Sequence, residues 1–313
     1  MSTDPRQERQ KTHLVYLLLL VVPVFFATNN VAARMADGIV PPVALTFWRW
    51  ALAVLLLSPV VVSIFYRKAE ILREEFRSIV LLAFLGMFTV GVATYWGAKT
   101  TTAANIGLIY ATTPALILIF DRFLTGNRLS IFQVLGLFAC LSGMLYIVSK
   151  GDLGVFLGAE FTQGDLIVGA GTLGWAAYSV LLKFWPSRLT VVERSSVISL
   201  SGCLIAFPFM IYEYNFIESY VFDMQSMAII ALVGVVSGAL LIVVHAYITA
   251  EIGPSRAVIL LYLIPLYNVA LSWLVLREEI LVYHAVGGAI VLAGVYLTSL
   301  RVPSLSTPAA RGK

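Results

Sequence analysis

Apolar residues run through this chain in blocks of about 20, and polar residues collect in short gaps between them. The clearest case lies near the end of the chain, where Ala257 to Leu276 and Ile280 to Leu300 are split by Arg277-Glu278-Glu279. At ~1.5 Å rise per residue each block matches a ~30 Å hydrocarbon slab, so the pair predicts a membrane helical hairpin. Eight further blocks precede it, at about Leu14 to Ala33, Val43 to Phe65, Ser78 to Gly97, Asn105 to Thr125, Ser130 to Ser149, Asp165 to Lys183, Val191 to Tyr212 and Ser226 to Ala250. The pattern predicts an all-α membrane protein of ten transmembrane helices.

The blocks repeat. A shift of 151 residues sets Pro265 on Pro114, Gly287 on Gly136, Leu292 on Leu141 and Gly294 on Gly143, without a gap. A shift of 149 pairs Val180 with Val31 and Lys183 with Arg34. The chain thus divides into a short tail (1–13), a first five-helix unit (14–149), a link (150–164), a second unit (165–300) and a closing tail (301–313). An odd number of crossings reverses the starting side, so the second copy should be inverted. Inverted repeats around a midplane site are the usual construction of alternating-access carriers, which places a central cavity between the halves.

Composition agrees with this class. Hydrophobic residues make up 60% and charged residues 12% of the 313 positions, with mean hydropathy +0.91, far from the soluble norm of about a quarter charged. The net charge of +4 needs no nucleic acid, because Lys and Arg gather beside membrane helices for reasons of insertion and no soluble basic domain exists. With the N-terminus inside, 16 basic residues fall on the inner side and four (Arg34, Lys99, Lys150, Arg277) on the outer. Both termini should therefore be cytoplasmic. The first block is too long for the 7–15-residue core of a signal peptide. Cys140 and Cys203 sit within apolar blocks and read as packing residues, and no cofactor or metal site is expected. An enzyme would need His or carboxylates clustered at one interface, and His13, His245 and His284 are scattered.

Candidate chemistry lies inside the spans. Pro114 and Pro265 fall near the middle of equivalent blocks, where proline bends a helix and frees carbonyls. Arg49 lies about 9 Å inside its span. It is an anchor for a substrate carboxylate, a gate against Asn29 and Asn30, or a side chain that snorkels outward or braces the first span. The expected substrate-binding set is Asn29, Asn30, Arg49, Thr89, Tyr110, Thr113, Trp175, Tyr178, Tyr262, Tyr267 and Asn268. The expected hinge and gate set is Pro114, Pro265, Tyr95, Trp96, His245 and Tyr247, with Tyr95, Trp96 and Tyr247 close to the interfaces. Such a cavity offers stacking faces and hydroxyls and suits a zwitterionic or amphipathic solute. None of the 17 carboxylates lies near the centre of a span, which favours facilitated diffusion or exchange over cation coupling. The Gly234 to Gly238 pair and the seven-residue pairs Gly136/Gly143 and Gly287/Gly294 predict close helix packing, within a monomer rather than a dimer.

Phe26-Ala27-Thr28-Asn29-Asn30, Phe47-Trp48-Arg49, the Pro114 and Pro265 helices, Gly174-Trp175-Ala176-Ala177-Tyr178 and the stretch from Gly253 to Gly294 carry a family resemblance. Both halves resemble the EamA domain of the drug/metabolite transporter superfamily, over about Leu14 to Leu300. The chain departs from that pattern at Asn127-Arg128, where such domains usually have Gly-Glu-Arg, and at Arg277, which replaces the glycine before Glu278. The resemblance implies export of small metabolites, amino acids foremost, across a bacterial inner membrane, with the lipid bilayer and the solute as partners. The rivals within transporters are an ion-coupled permease and a nucleotide-sugar-type exchanger; a scaffold or receptor would not need midplane prolines and polar groups in both halves.

Overall fold

The computed structural model describes residues 5–126, 130–152, 162–252 and 259–299. Every described element is helical. Among the described residues, six helices are long and apolar enough to cross a membrane: Leu17–Met35, Phe76–Gly97, Ala103–Leu124, Gln163–Phe184, Val191–Phe216 and Met224–Ile248. Three shorter apolar helices, Ile131–Ile147, Leu263–Leu276 and Val282–Leu297, cover further apolar blocks of the sequence. This is a multi-pass membrane protein, in which helices satisfy their own backbone groups away from water.

The block at Val43 to Phe65 does not form a straight span. Helices Pro42–Leu56 and Ser58–Arg67 meet at Leu57 with a bend of 71°. Pro59 stands in the first turn of the second helix and has no N–H to continue the ladder of the first. The fourth block is one span, Ala103–Leu124, whose two helical parts, Ala103–Tyr110 and Thr113–Thr125, join at Ala111-Thr112. Pro114 stands in the first turn of the second, inside the span.

Helix starts follow local chemistry. Thr102, Ser130, Thr162, Thr190 and Asp223 each accept from the backbone N–H three residues on, and Ser130, Thr190 and Asp223 complete reciprocal capping boxes. Gly126 ends Thr113–Thr125 at φ 71, and Arg277 ends the Ser272–Leu276 segment at φ 56. These two left-handed positions lie 151 residues apart, so one copy uses glycine and the other a side chain that the conformation disfavours.

Glycines set the packing. Ideal Cβ atoms on Gly143 and Gly287 would lie 2.9 and 3.1 Å from each other's carbonyl oxygens, and one on Gly294 would lie 2.7 Å from the Gly136 oxygen. Cys140 Sγ donates to the Val291 carbonyl at 3.6 Å between them. One index falls as the other rises, so Ile131–Val148 and Val282–Ser299 run antiparallel in close contact. Gly234 and Gly238 admit Leu52 and Ala53 of the Pro42–Leu56 helix, which is the internal use expected of that pair.

Among the described residues, three segments widen to π-helix: Ala83–Thr89, Leu232–Leu240 and Ser272–Leu276. The first two start 149 residues apart, on the same offset that aligns the first helix of each half. A π-turn shifts carbonyls off the regular ladder, and such bulges often occur at functional positions.

Candidate functional site

The Pro42–Leu56 helix lies between the first two π-helices, and two consecutive side chains reach one each. Trp50 Nε1 donates to the Met87 carbonyl at 3.2 Å, and Arg49 Nη2 donates to the Ser237 carbonyl at 2.8 Å. The same Ser237 donates its hydroxyl to the Phe25 carbonyl at 2.9 Å. Arg49 is 9% exposed, so it stays inside the bundle instead of snorkelling. Its guanidinium carbon lies 4.4 Å from the centre of the Trp50 ring, a cation–π contact worth about 0.5–2 kcal/mol, and the group stands beside the Tyr95 hydroxyl.

A hydrogen-bonded chain leads inward from there. Tyr95 donates to Asn29 Oδ1 at 2.7 Å. Next to Asn29, Asn30 donates through Nδ2 to Asn268 Oδ1 at 2.8 Å, and Asn268 donates in turn to the Ile264 carbonyl at 3.0 Å. Ile264 precedes Pro265, which is buried inside the Ile259–Leu271 helix. Gly107 makes this contact possible, since a Cβ there would lie 2.4 Å from Asn268 Cβ. Beside Tyr95, Thr94 shares a 2.8 Å hydrogen bond with Tyr110. Asn29, Asn30, Arg49, Tyr95, Tyr110 and Asn268 thus form one buried polar centre bounded by elements from both ends of the sequence.

The remaining candidates lie elsewhere or at its edge. Thr113 bonds the Tyr110 carbonyl at 2.6 Å, a local turn contact. Trp175 and Tyr178 stack on each other at 4.9 Å and pack with Trp50 and Met87 in an apolar cluster. Thr89 belongs to the first π-helix and lies against Gly174. Tyr267 is half-buried, and the side chain of Tyr262 lies outside the described residues. Tyr95, expected near an interface, is buried at 3% exposure and belongs to the centre, because it points at Asn29. Trp96, one position on, faces outward at 41%. Tyr247 packs against Leu241 and Ile248, on the same helix as His245.

Carboxylates hold the ends of the bundle. Glu213 accepts from the Val43 and Ala44 N–H groups at 3.1 and 2.8 Å, at the start of the Pro42–Leu56 helix. Glu278 does the same for Ala103 and Ala104 at 3.0 and 3.2 Å. Asp165 accepts from Thr101 at 2.5 Å and also from Thr162. A negative charge on free N–H groups of a helix start is the arrangement that the helix dipole favours. Lys99 pairs with Glu218 at 2.6 Å at this end, while Lys68 with Glu193 at 2.7 Å and Lys183 with Asp121 at 2.8 Å close the other. Outside the spans, burial and the neighbouring Tyr214 and Glu213 push the Tyr220 hydroxyl above its ordinary pKa, against the bond from Trp48 at 2.5 Å. Two surface depressions of about 440 and 420 Å³, at Trp273 to Leu281 and at Pro59 to Glu193, lie away from the polar centre.

Sequence reading missed Thr94 and Ser237 as members of the centre. A threonine beside an aromatic pair and a serine within a glycine-spaced stretch carry no distinguishing signal. The burial of Glu213 and Asp165, at 2% and 3%, has no signal in the sequence either.

Comparison with known proteins bears on the whole length. A family model described as the EamA-like transporter family matches residues 13–149 and 162–300. The uncharacterised transporter YyaM of Bacillus subtilis is 23% identical over 94% of this chain and 96% of its own. An uncharacterised transporter of Archaeoglobus fulgidus is 24% identical over 93% and 98%. A solved crystal structure shares the fold with a TM-score of 0.58 at 19% identity, covering 91% of this chain and 95% of that one.

Proposed function

The chain belongs to the EamA-like transporter family, and from that premise we propose that it carries small organic metabolites, amino acids first, across a bacterial inner membrane. The observation that carries the reading is the Asn30–Asn268 hydrogen bond, which joins two matched segments of the family model at a buried polar centre. A carrier needs such a centre to hold a solute, and needs the contact to break and reform as access alternates.

Two features support a pair of inverted five-helix repeats, 14–149 and 165–300. Exchanging each residue for its counterpart 151 positions away turns the Gly136–Gly294 contact into Gly287–Gly143 and returns Cys140–Val291 to itself. That is the behaviour of a two-fold axis between antiparallel helices. The first two π-helices, 149 residues apart, support the same relation. The excess of basic residues on one side supports cytoplasmic termini.

Facilitated diffusion or exchange remains the favoured mode. Asp165 and Glu213 are buried, which favours the ion-coupled rival more than the sequence does. Yet Asp165 lies in the first turn of its own helix and the Glu213 carboxylate caps the start of the Pro42–Leu56 helix, each held by hydroxyl or backbone donors apart from the centre. Uptake of a mixed amino-acid panel into proteoliposomes, with and without a proton or sodium gradient, tests the reading. Equilibration down the solute gradient alone supports it. Accumulation that requires the ion gradient overturns the uncoupled mode, and absence of flux for every amino acid overturns the substrate class.

A further inference from the structure

The polar centre holds a positive charge, Arg49, that no carboxylate pairs with among the described residues. Arg49 is 9% exposed, its Nε–H has no acceptor, and it takes part in none of the ion pairs among the described residues. Its contacts are a backbone carbonyl, a tyrosine hydroxyl and an indole face, which are dipoles and a quadrupole rather than anions. The Glu213 carboxylate is bonded to Val43 and Ala44, about 8 Å back along the same helix. Burying a cation with dipoles alone is costly, and a planar guanidinium with an unused N–H offers the fork that a carboxylate fills with two bonds.

We infer that the transported solute supplies the missing negative charge, so that the site selects organic monocarboxylates by their carboxylate and rejects solutes whose only charge is positive. This deepens the proposed function and rests on the same site. The other groups of the centre, Asn29, Asn30, Asn268, Thr94, Tyr95 and Tyr110, are neutral. An ammonium group therefore meets no carboxylate there, and it faces Arg49 as a like charge. Amino acids enter as carboxylates, and their ammonium group is dispensable.

The test compares three solutes of one shape in proteoliposomes: phenylalanine, phenylpyruvate without the ammonium, and phenylalanine amide without the carboxylate. Wild type should carry the first two at rates within a few-fold of each other and the amide at least about tenfold more slowly. Arg49→Gln should lose the acids and shift the acid-to-amide ratio by about tenfold or more, while Arg49→Lys should keep the preference in weaker form. Equal rates for acid and amide in wild type, or an unchanged ratio in Arg49→Gln, would overturn the inference while leaving the transporter reading intact. If none of the three moves, this shape is not a substrate, the amino-acid reading rests on the full panel, and the charge inference is then read from thermal unfolding of the purified protein. Stabilisation by benzoate but not benzylammonium, lost in Arg49→Gln, supports it; stabilisation by neither, by both alike, or by benzylammonium alone overturns it.

Discussion

Asn30 and Asn268 stand 238 positions apart in sequence and share a 2.8 Å hydrogen bond at the buried centre of the bundle. Asn268 is wholly buried, so Asn268→Ala leaves the Asn30 amide N–H without its acceptor. An unsatisfied buried donor costs about 1–3 kcal/mol. Thermal or chemical unfolding of Asn268→Ala should show a loss of that order, and Asn30→Asp should not restore it.

Gly107 gives the same contact its room. A methyl group there would sit 2.4 Å from Asn268 Cβ, a distance that real Cβ atoms do not show. Gly107→Ala should destabilise the protein by about 1–3 kcal/mol through overpacking, whereas Gly169→Ala, with nothing within 4 Å of the new atom, should be neutral or slightly stabilising. Unfolding curves of the two variants side by side check this.

Arg277 occupies a left-handed backbone position at φ 56, where its counterpart Gly126 has φ 71. Replacing the side chain removes steric strain, offset in part by the greater freedom of glycine in the unfolded chain. Arg277→Gly should raise stability by about 0.5–1 kcal/mol, read as a higher unfolding midpoint, and a fall in the midpoint would mean that the side chain has a partner role.

Asp223 caps the helix beginning at Met224 and accepts from the Ser226 N–H at 2.8 Å. Those hydrogen bonds hold its carboxylate below the ordinary value of 3.8. A depressed folded pKa gives stability that is present above pH 3.8 and is lost as pH falls through the lower folded value. The unfolding midpoint of wild type should therefore fall more steeply below pH 4 than that of Asp223→Asn.

Much of the architecture was legible because a membrane helix must be long, apolar and internally hydrogen-bonded. Block lengths placed most helices to within a few residues, and glycine spacing foretold the Gly136/Gly143 and Gly287/Gly294 contacts. The break at Leu57 was not read, although Ser58-Pro59 carried the signal, because the surrounding residues stay apolar across it. The π-helices leave no residue signature, so the carbonyl partners of Arg49 and Trp50 could not be foreseen. Tyr95 and Trp96 differ by one position but point a third of a turn apart, which puts one at the centre and the other on the surface. Trp175 and Tyr178 look alike as site residues in sequence, yet their mutual stack fills the apolar core.

Counterflow exchange of a labelled amino acid in proteoliposomes, by wild type, Asn268→Ala and the Gly169→Ala control, tests most directly whether the Asn30–Asn268 centre lies on the transport path. The account expects exchange by wild type and by the control, and a loss of about tenfold or more in Asn268→Ala at equal amounts of folded protein. Equal exchange by Asn268→Ala and wild type would contradict it.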